Sequence, residues 1–113
     1  MKEIEKKDIE FKIVIHPEDL QIRGNAIASG DENYDKKIEQ FIIDDLESGN
    51  LWAWCCVEVI GHYKEVLTAS CFLGGCSYKN EDDFKVCDYF ECMKDEIVNQ
   101  LNSQIKILEG ESI

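Results

Sequence analysis

The chain has 113 residues, a length typical of one domain with its own apolar core, and we expect residues 1–113 to form a single domain. Apolar residues make up 44% and charged residues 32% of the sequence, which excludes a disordered acidic tail. The net charge of −12 argues against direct binding to nucleic acid or anionic membranes and favours basic protein surfaces, although acidity that serves only solubility is an alternative.

The N-terminus, MKEIEKKDIE, has no apolar run that could serve as a signal sequence. The longest apolar stretch, LWAWCCV, is far too short to span a membrane. We therefore expect a cytoplasmic protein whose six cysteines are free thiols packed as small hydrophobic side chains.

Alternating apolar and polar residues predict a first strand at residues 9–16, which Pro17 ends because proline has no N–H for the ladder. Residues 21–26 are expected to run extended again. The pair Glu18-Asp19 between these segments has the chemistry of a turn.

A first helix is predicted at roughly residues 32–48. Its start is indicated by Ser29 as part of a capping box with Glu32, or by Asp31 as the cap instead. Helical spacing predicts a buried face, with acidic residues directed away from it. The residues expected on that face are Ile38, Phe41, Ile42 and Leu46, and those directed away are Asp35, Glu39 and Asp44.

A period-two pattern predicts the second strand at residues 51–60, with Trp52 and Trp54 on the face opposite the one directed to the helices. Gly61-His62 indicates a turn, and residues 66–73 a third strand that pairs with the second as a hairpin and ends at Gly74-Gly75.

A last helix is predicted at about residues 88–108, after a short turn near residues 81–84. The order strand, helix, strand, strand, helix predicts an α+β fold. We expect a three-stranded antiparallel sheet with two helices packed on one face, which leaves the face of Trp52 and Trp54 open or covered by a partner.

Four of the six cysteines form two pairs with the spacing C-x4-C, and these are Cys71, Cys76, Cys87 and Cys92. Zinc is an alternative that this spacing supports weakly, because structural zinc sites pair their cysteines more closely. A cysteine nucleophile needs a neighbouring histidine, and the sequence places neither His16 nor His62 beside a cysteine. We expect no metal, no cofactor and no enzymatic activity.

Two rows of carboxylates repeat at helical spacing, close to the spacing of backbone phosphates. One row is Asp88, Glu91 and Asp95, and the other is Asp31, Asp35 and Glu39. A solvated helix face is the alternative interpretation of both rows. For the tryptophan face, the alternative to a partner or oligomer interface is coverage by the first strand or the N-terminal arm.

Several short motifs follow one another along the chain: Arg23-Gly24-Asn25-Ala26, Ala28-Ser29-Gly30-Asp31, Trp52-Ala53-Trp54, Leu73-Gly74-Gly75-Cys76-Ser77-Tyr78, Asp83-Phe84, Tyr89-Phe90 and Met93. Over most of residues 21–101, the order of these motifs resembles that in a group of small acidic proteins encoded by bacteriophages and prophages. The resemblance implies phage origin and expression in the bacterial cytoplasm. Small acidic phage proteins often block host defence nucleases such as CRISPR or restriction complexes. This role is expected for the present chain only by analogy with that class of proteins.

We therefore expect a non-enzymatic inhibitor that occupies the basic nucleic-acid-binding groove of a host defence protein. The alternative is an interaction or homodimerisation module that uses the tryptophan face. The predicted partner-binding residues are Asp83, Asp88, Glu91, Asp95, Trp52 and Trp54.

Overall fold

A computed structural model describes residues 3–110, which form an α+β fold around a three-stranded antiparallel sheet. The strands are β1 (Glu10–Pro17), β2 (Cys55–Tyr63) and β3 (Leu67–Cys76), in the sheet order β1-β2-β3. The α-helices are α1 (Glu32–Glu47), α2 (Glu81–Lys85) and α3 (Asp88–Leu108), and two 3-10 turns lie at Lys6–Asp8 and Leu51–Ala53. The predicted α+β class and antiparallel sheet are confirmed.

The predicted order of elements was incomplete, because it omitted α2 as a helix and both 3-10 turns. The chain also divides into two compact units. Among the residues that the structure describes, the first unit combines 3–14, 58–72 and 87–110, and the second combines 15–57 and 73–86. The single domain and the packing of two helices on one sheet face stay predictions.

The bounds of α3 are those that the sequence predicted. Buried side chains recur along it every three or four residues, and carboxylates occupy its first turn, where the helix dipole favours negative charge. The buried residues are Phe90, Met93, Ile97, Leu101 and Ile105, all in the first unit.

The second strand begins four residues later than predicted, at Cys55 instead of residue 51. The preceding segment forms a 3-10 turn because the side chain of Asn50 accepts a hydrogen bond from the Trp52 N–H at 3.2 Å. Trp52 is therefore a turn residue, and Trp54 lies just before β2.

The predicted turn at Gly61-His62 is wrong, since both residues lie inside β2. The turn uses Lys64 and Glu65, with φ angles of 50° and 61°, and the Val66 N–H donates to the Tyr63 carbonyl at 3.0 Å. Two successive positive φ angles closed by this hydrogen bond define a type I′ hairpin turn.

The helix α1 is rotated about its axis relative to the prediction. Glu39, expected to face solvent, is only 6% exposed, whereas Phe41, expected in the core, is 69% exposed. The cause is the loop at residues 21–26, which was predicted to be extended but forms a turn in which the Asn25 N–H donates to the Ile22 carbonyl. This loop presents the Gly24 N–H to the Glu39 carboxylate at 2.6 Å.

Candidate functional site

The carboxylate row at the start of α3 is exposed, but its members Glu91 and Asp95 are paired with lysines of the same unit. The Lys6 ammonium lies 3.1 Å from Glu91 and 2.5 Å from Asp95, and Lys94 lies 2.6 Å from Glu91. Lys94 and then Lys6 lower the pKa of Glu91, while Asp95 and then Glu91 raise the pKa of Lys6. Two lysines thus offset the charges of Glu91 and Asp95, while Asp88 lies exposed in the first turn of the helix.

Asp83 has a local structural role at the start of α2. Its carboxylate accepts a hydrogen bond from the Lys79 N–H at 3.1 Å, and the Asn80 side chain accepts one from the Asp83 N–H at 2.9 Å. Asn80 is the N-cap of α2, and these two hydrogen bonds satisfy backbone donors at the helix start.

The second predicted row of carboxylates is also engaged within the protein. Asp31 caps α1 by accepting from the N–H groups of Asn33 and Tyr34. Asp35 accepts from the Ser29 hydroxyl at 2.6 Å, and Glu39 is buried against the loop described above. The spacing of these residues therefore reflects the attachment of α1 to its own loop.

The expectation that both tryptophans lie on an open sheet face is wrong. Trp54 is 5% exposed, and its indole N–H donates to the Leu20 carbonyl at 2.7 Å. Trp52 is half-buried, with its ring centroid 5.9 Å from that of Phe84 and 6.3 Å from that of Tyr78. Segments distant in the sequence cover the indoles, and their positions cannot be inferred from the strand pattern alone.

A pocket of about 170 Å³ lies beside Trp54 in the second unit. An apolar cavity of about 150 Å³ accommodates a benzene molecule, so this pocket has room for one side chain. Its apolar walls are Ile15, Pro17, Leu46, Leu51 and Trp54, and its polar lining comes from His16 and Glu18.

The carboxylate of Glu18 is fixed by backbone donors. One oxygen accepts from the Gly75 N–H, and the other accepts from the Leu20 N–H at 3.3 Å. These hydrogen bonds, with that of Gly75 the larger cause, lower the pKa of Glu18 below its ordinary 4.5. The pocket therefore carries a negative charge at neutral pH.

The two glycines at the end of β3 allow this close approach. Gly75 has a φ of 62°, and a Cβ on it would lie 3.6 Å from the Trp54 ring. A Cβ on Gly74 would lie 3.0 Å from the Glu18 carboxylate. The glycine pair, interpreted from the sequence only as a bend, brings the Gly75 N–H to Glu18.

Neither Glu18 as a binding group nor this pocket was predicted from the sequence. Glu18 had been interpreted only as part of a turn after Pro17, and no local pattern links it to a glycine 57 positions away. An anionic group beside apolar walls is suited to a ligand with a cationic head and an apolar stem. Lysine and arginine side chains have this chemistry.

The cysteines offer no comparable site. None of the six forms a disulfide bond, and within residues 3–110 no three or more His, Cys, Asp or Glu side chains are grouped so that they could hold a metal ion. Burial, followed by the nearby Cys76 and Cys56 thiols, raises the pKa of Cys55 to about 12, so this thiol stays protonated at neutral pH.

None of the helices between residues 3 and 110 combines the length and apolar content needed to cross a membrane. Comparisons with protein-family models, curated proteins and solved structures found no match. The resemblance to phage proteins stays a prediction.

Proposed function

We propose that the protein is a non-enzymatic inhibitor that binds a basic protein surface, of the kind that lines the nucleic-acid groove of a host defence nuclease. The observation that carries this proposal is the Glu18 pocket, where backbone donors fix an ionised carboxylate beside apolar walls. The pocket receives one lysine or arginine side chain of the partner. The stem of that side chain packs against Trp54 and Leu51, and its charged head pairs with Glu18.

The charge of the second unit supports a basic partner. Residues 15–57 and 73–86 contain 12 acidic and 5 basic side chains, a net charge of −7. A field of this sign attracts a positively charged surface before contact and accelerates association at low ionic strength. Long-range attraction and one pocket that fixes orientation together account for specific docking.

Docking through the Glu18 pocket is a different mode of inhibition from the one predicted from the sequence, in which rows of helical carboxylates mimic backbone phosphates. Lys6 is paired with Glu91 and Asp95, so a partner would have to displace a bound lysine to use them. The burial of Trp54 likewise disfavours a dimer through a tryptophan face. We therefore take the Glu18 pocket, and not the helical carboxylates or the tryptophan face, as the primary contact with the partner.

The pocket can be tested with a small probe before any partner is known. We expect N-acetyl-arginine amide, titrated into the ¹⁵N-labelled protein, to shift the NMR signals of the Trp54 indole N–H and the Gly75 N–H. A single side chain should bind with a dissociation constant on the order of millimolar. N-acetyl-norleucine amide, which has an apolar stem but no charge, is the matched control and should bind at least about fivefold more weakly, because it cannot pair with Glu18.

Glu18→Gln should remove the preference for arginine, whereas Glu47→Gln, an exposed carboxylate on α1, should leave it unchanged. The folded-state pKa of Glu18 is lowered, so arginine binding should persist at neutral pH and be lost as the pH falls below the ordinary value of 4.5. Equal shifts with both probes, or full binding by Glu18→Gln, would exclude the pocket as a cation site.

The inhibitor function needs a separate measurement. Added protein should lower DNA cleavage by a purified host defence complex, and the inhibition should weaken as salt rises from about 0.05 M to about 0.3 M because charge attraction is screened. Glu18→Gln should raise the half-inhibitory concentration, and Glu47→Gln should not. Cleavage that is unaffected for representative CRISPR and restriction complexes would contradict this target class while leaving the pocket chemistry in place.

A further inference from the structure

The outward side of α1 carries two aromatic side chains that the fold does not bury. Tyr34 is 50% exposed and Phe41 is 69% exposed. Intervals of three and four residues place them on one side of the helix together with Lys37 and Asp44, which are also exposed. We define the outer stripe of α1 as Tyr34, Lys37, Phe41 and Asp44.

Contacts on the opposite side of the helix fix the orientation of this stripe. Glu39 and Ile42 are the buried residues of α1, and Glu39 is held by the Gly24 N–H at 2.6 Å and the Arg23 guanidinium at 3.5 Å. The helix therefore cannot rotate to bury Phe41 without breaking the contacts of a buried carboxylate. The exposure of the two aromatic rings is a fixed property of the fold.

The charges of the outer stripe are arranged symmetrically about its aromatic centre. Lys37 and Asp44 lie on the two sides of Phe41, and the midpoint between them in the sequence falls next to Phe41. A twofold axis through that midpoint would bring two antiparallel copies of α1 together. Lys37 of each chain would then lie opposite Asp44 of the other, with the two Phe41 rings in contact between the ion pairs.

We infer that the outer stripe of α1 is a self-complementary surface that pairs with the same stripe of a second copy of this chain, antiparallel and around Phe41. When a surface of this pattern meets its own copy about a twofold axis, each charge faces a charge of the opposite sign. The inference goes beyond the proposed function and uses none of the residues that line the pocket.

Each chain carries a net charge of −12, so two copies repel one another at long range. The stripe from Tyr34 to Asp44 spans only about 15 Å of helix, which makes the dimer weak. Added salt screens the long-range repulsion, so dimerisation should strengthen with ionic strength. The opposite salt dependence is expected for docking on a basic partner, and the two proposals can therefore fail independently.

Sedimentation equilibrium of the whole protein up to about 1 mM, at about 0.02 M and about 0.3 M NaCl, measures this association. We expect a reversible dimer that is stronger at the higher salt concentration. Lys37→Glu should weaken the dimer by about tenfold, because the substitution is present in both chains and replaces two attractive pairs with Asp44 by two repulsive ones. Asp44→Lys combined with Lys37→Glu restores opposite charges in reverse order and should recover the affinity.

Phe41→Ala should also weaken the dimer, and Glu47→Ala is the exposed control on the same helix. All these positions are exposed, so the far-ultraviolet circular dichroism spectrum should not change in any variant. A strict monomer at both salt concentrations would overturn the inference. So would a dimer that is indifferent to Phe41→Ala, or a charge reversal that the double variant does not rescue.

Discussion

Glu39 shows how one buried side chain sets the environment of its neighbours. Its carboxylate accepts a hydrogen bond from the Gly24 N–H and pairs with Arg23, whose guanidinium also donates to Gln40 at 2.5 Å. Arg23 and Gly24 open the first of the motifs on which the predicted resemblance to phage proteins rests. These contacts explain the start of that motif as a structural link between a loop and α1.

Replacing Glu39 should therefore destabilise the protein. Glu39→Ala leaves the Gly24 N–H without its acceptor and should lower the free energy of unfolding by about 1–3 kcal/mol, measured by urea denaturation. Glu39→Gln keeps an acceptor oxygen and should cost less. The control Glu47→Ala, an exposed position, should change stability by no more than about 0.5 kcal/mol. Equal stability of Glu39→Ala and the wild type would contradict the structural role of this contact.

At the scale of elements, Gly61 decides how closely α3 approaches β2. A Cβ on Gly61 would meet Cγ2 of Ile97 and would lie 3.0 Å from Cγ2 of Ile9. Ile97 is fully buried, so its side chain has little room to move away. Glycine at this position in the sequence suggested a turn, but its role is close packing of a helix on a strand.

Gly61→Ala should consequently lower the free energy of unfolding by about 1–3 kcal/mol through overpacking. Adding Ile97→Leu removes the Cγ2 methyl group and should recover part of the loss, which can be measured in a double-mutant cycle. His62→Ala, at the neighbouring exposed position, is the control with little expected effect. A tolerated Gly61→Ala without any compensating change would show that α3 can shift away from β2.

At the scale of the whole molecule, the net charge of −12 opposes the compact state through self-repulsion. The ion pairs of Lys6 with Glu91 and Asp95 act in the other direction, but all three side chains are more than 40% exposed. Exposed pairs of this kind stabilise a fold only weakly, because water and salt screen the attraction. Repulsion should therefore dominate the response to salt.

We expect the thermal unfolding midpoint to rise as NaCl increases from about 0.02 M to about 0.3 M, because screening reduces the repulsion. Differential scanning calorimetry at low protein concentration, which minimises self-association, measures this shift. Replacing Glu32 and Glu47 by glutamine reduces the net charge and should flatten the salt dependence. A midpoint that falls with salt would show instead that the ion pairs outweigh the repulsion.

Local patterns were sufficient for several features of this protein. The bounds of α3, the α+β class and the antiparallel sheet followed from helical spacing and strand alternation, which depend on residues near one another in the sequence. Capping of α1 by Asp31, one of two predicted alternatives, is local in the same sense. The acidity of the surface follows from composition alone.

Tertiary structure decided the features that depend on distant segments. The outward position of Phe41 depends on the loop that binds Glu39, and the burial of Trp54 depends on Leu20. The charge beside the pocket depends on Gly75 reaching Glu18. Hydrophobic periodicity specifies that a helix or strand has a buried side, but the partners that a residue meets decide which way that side turns.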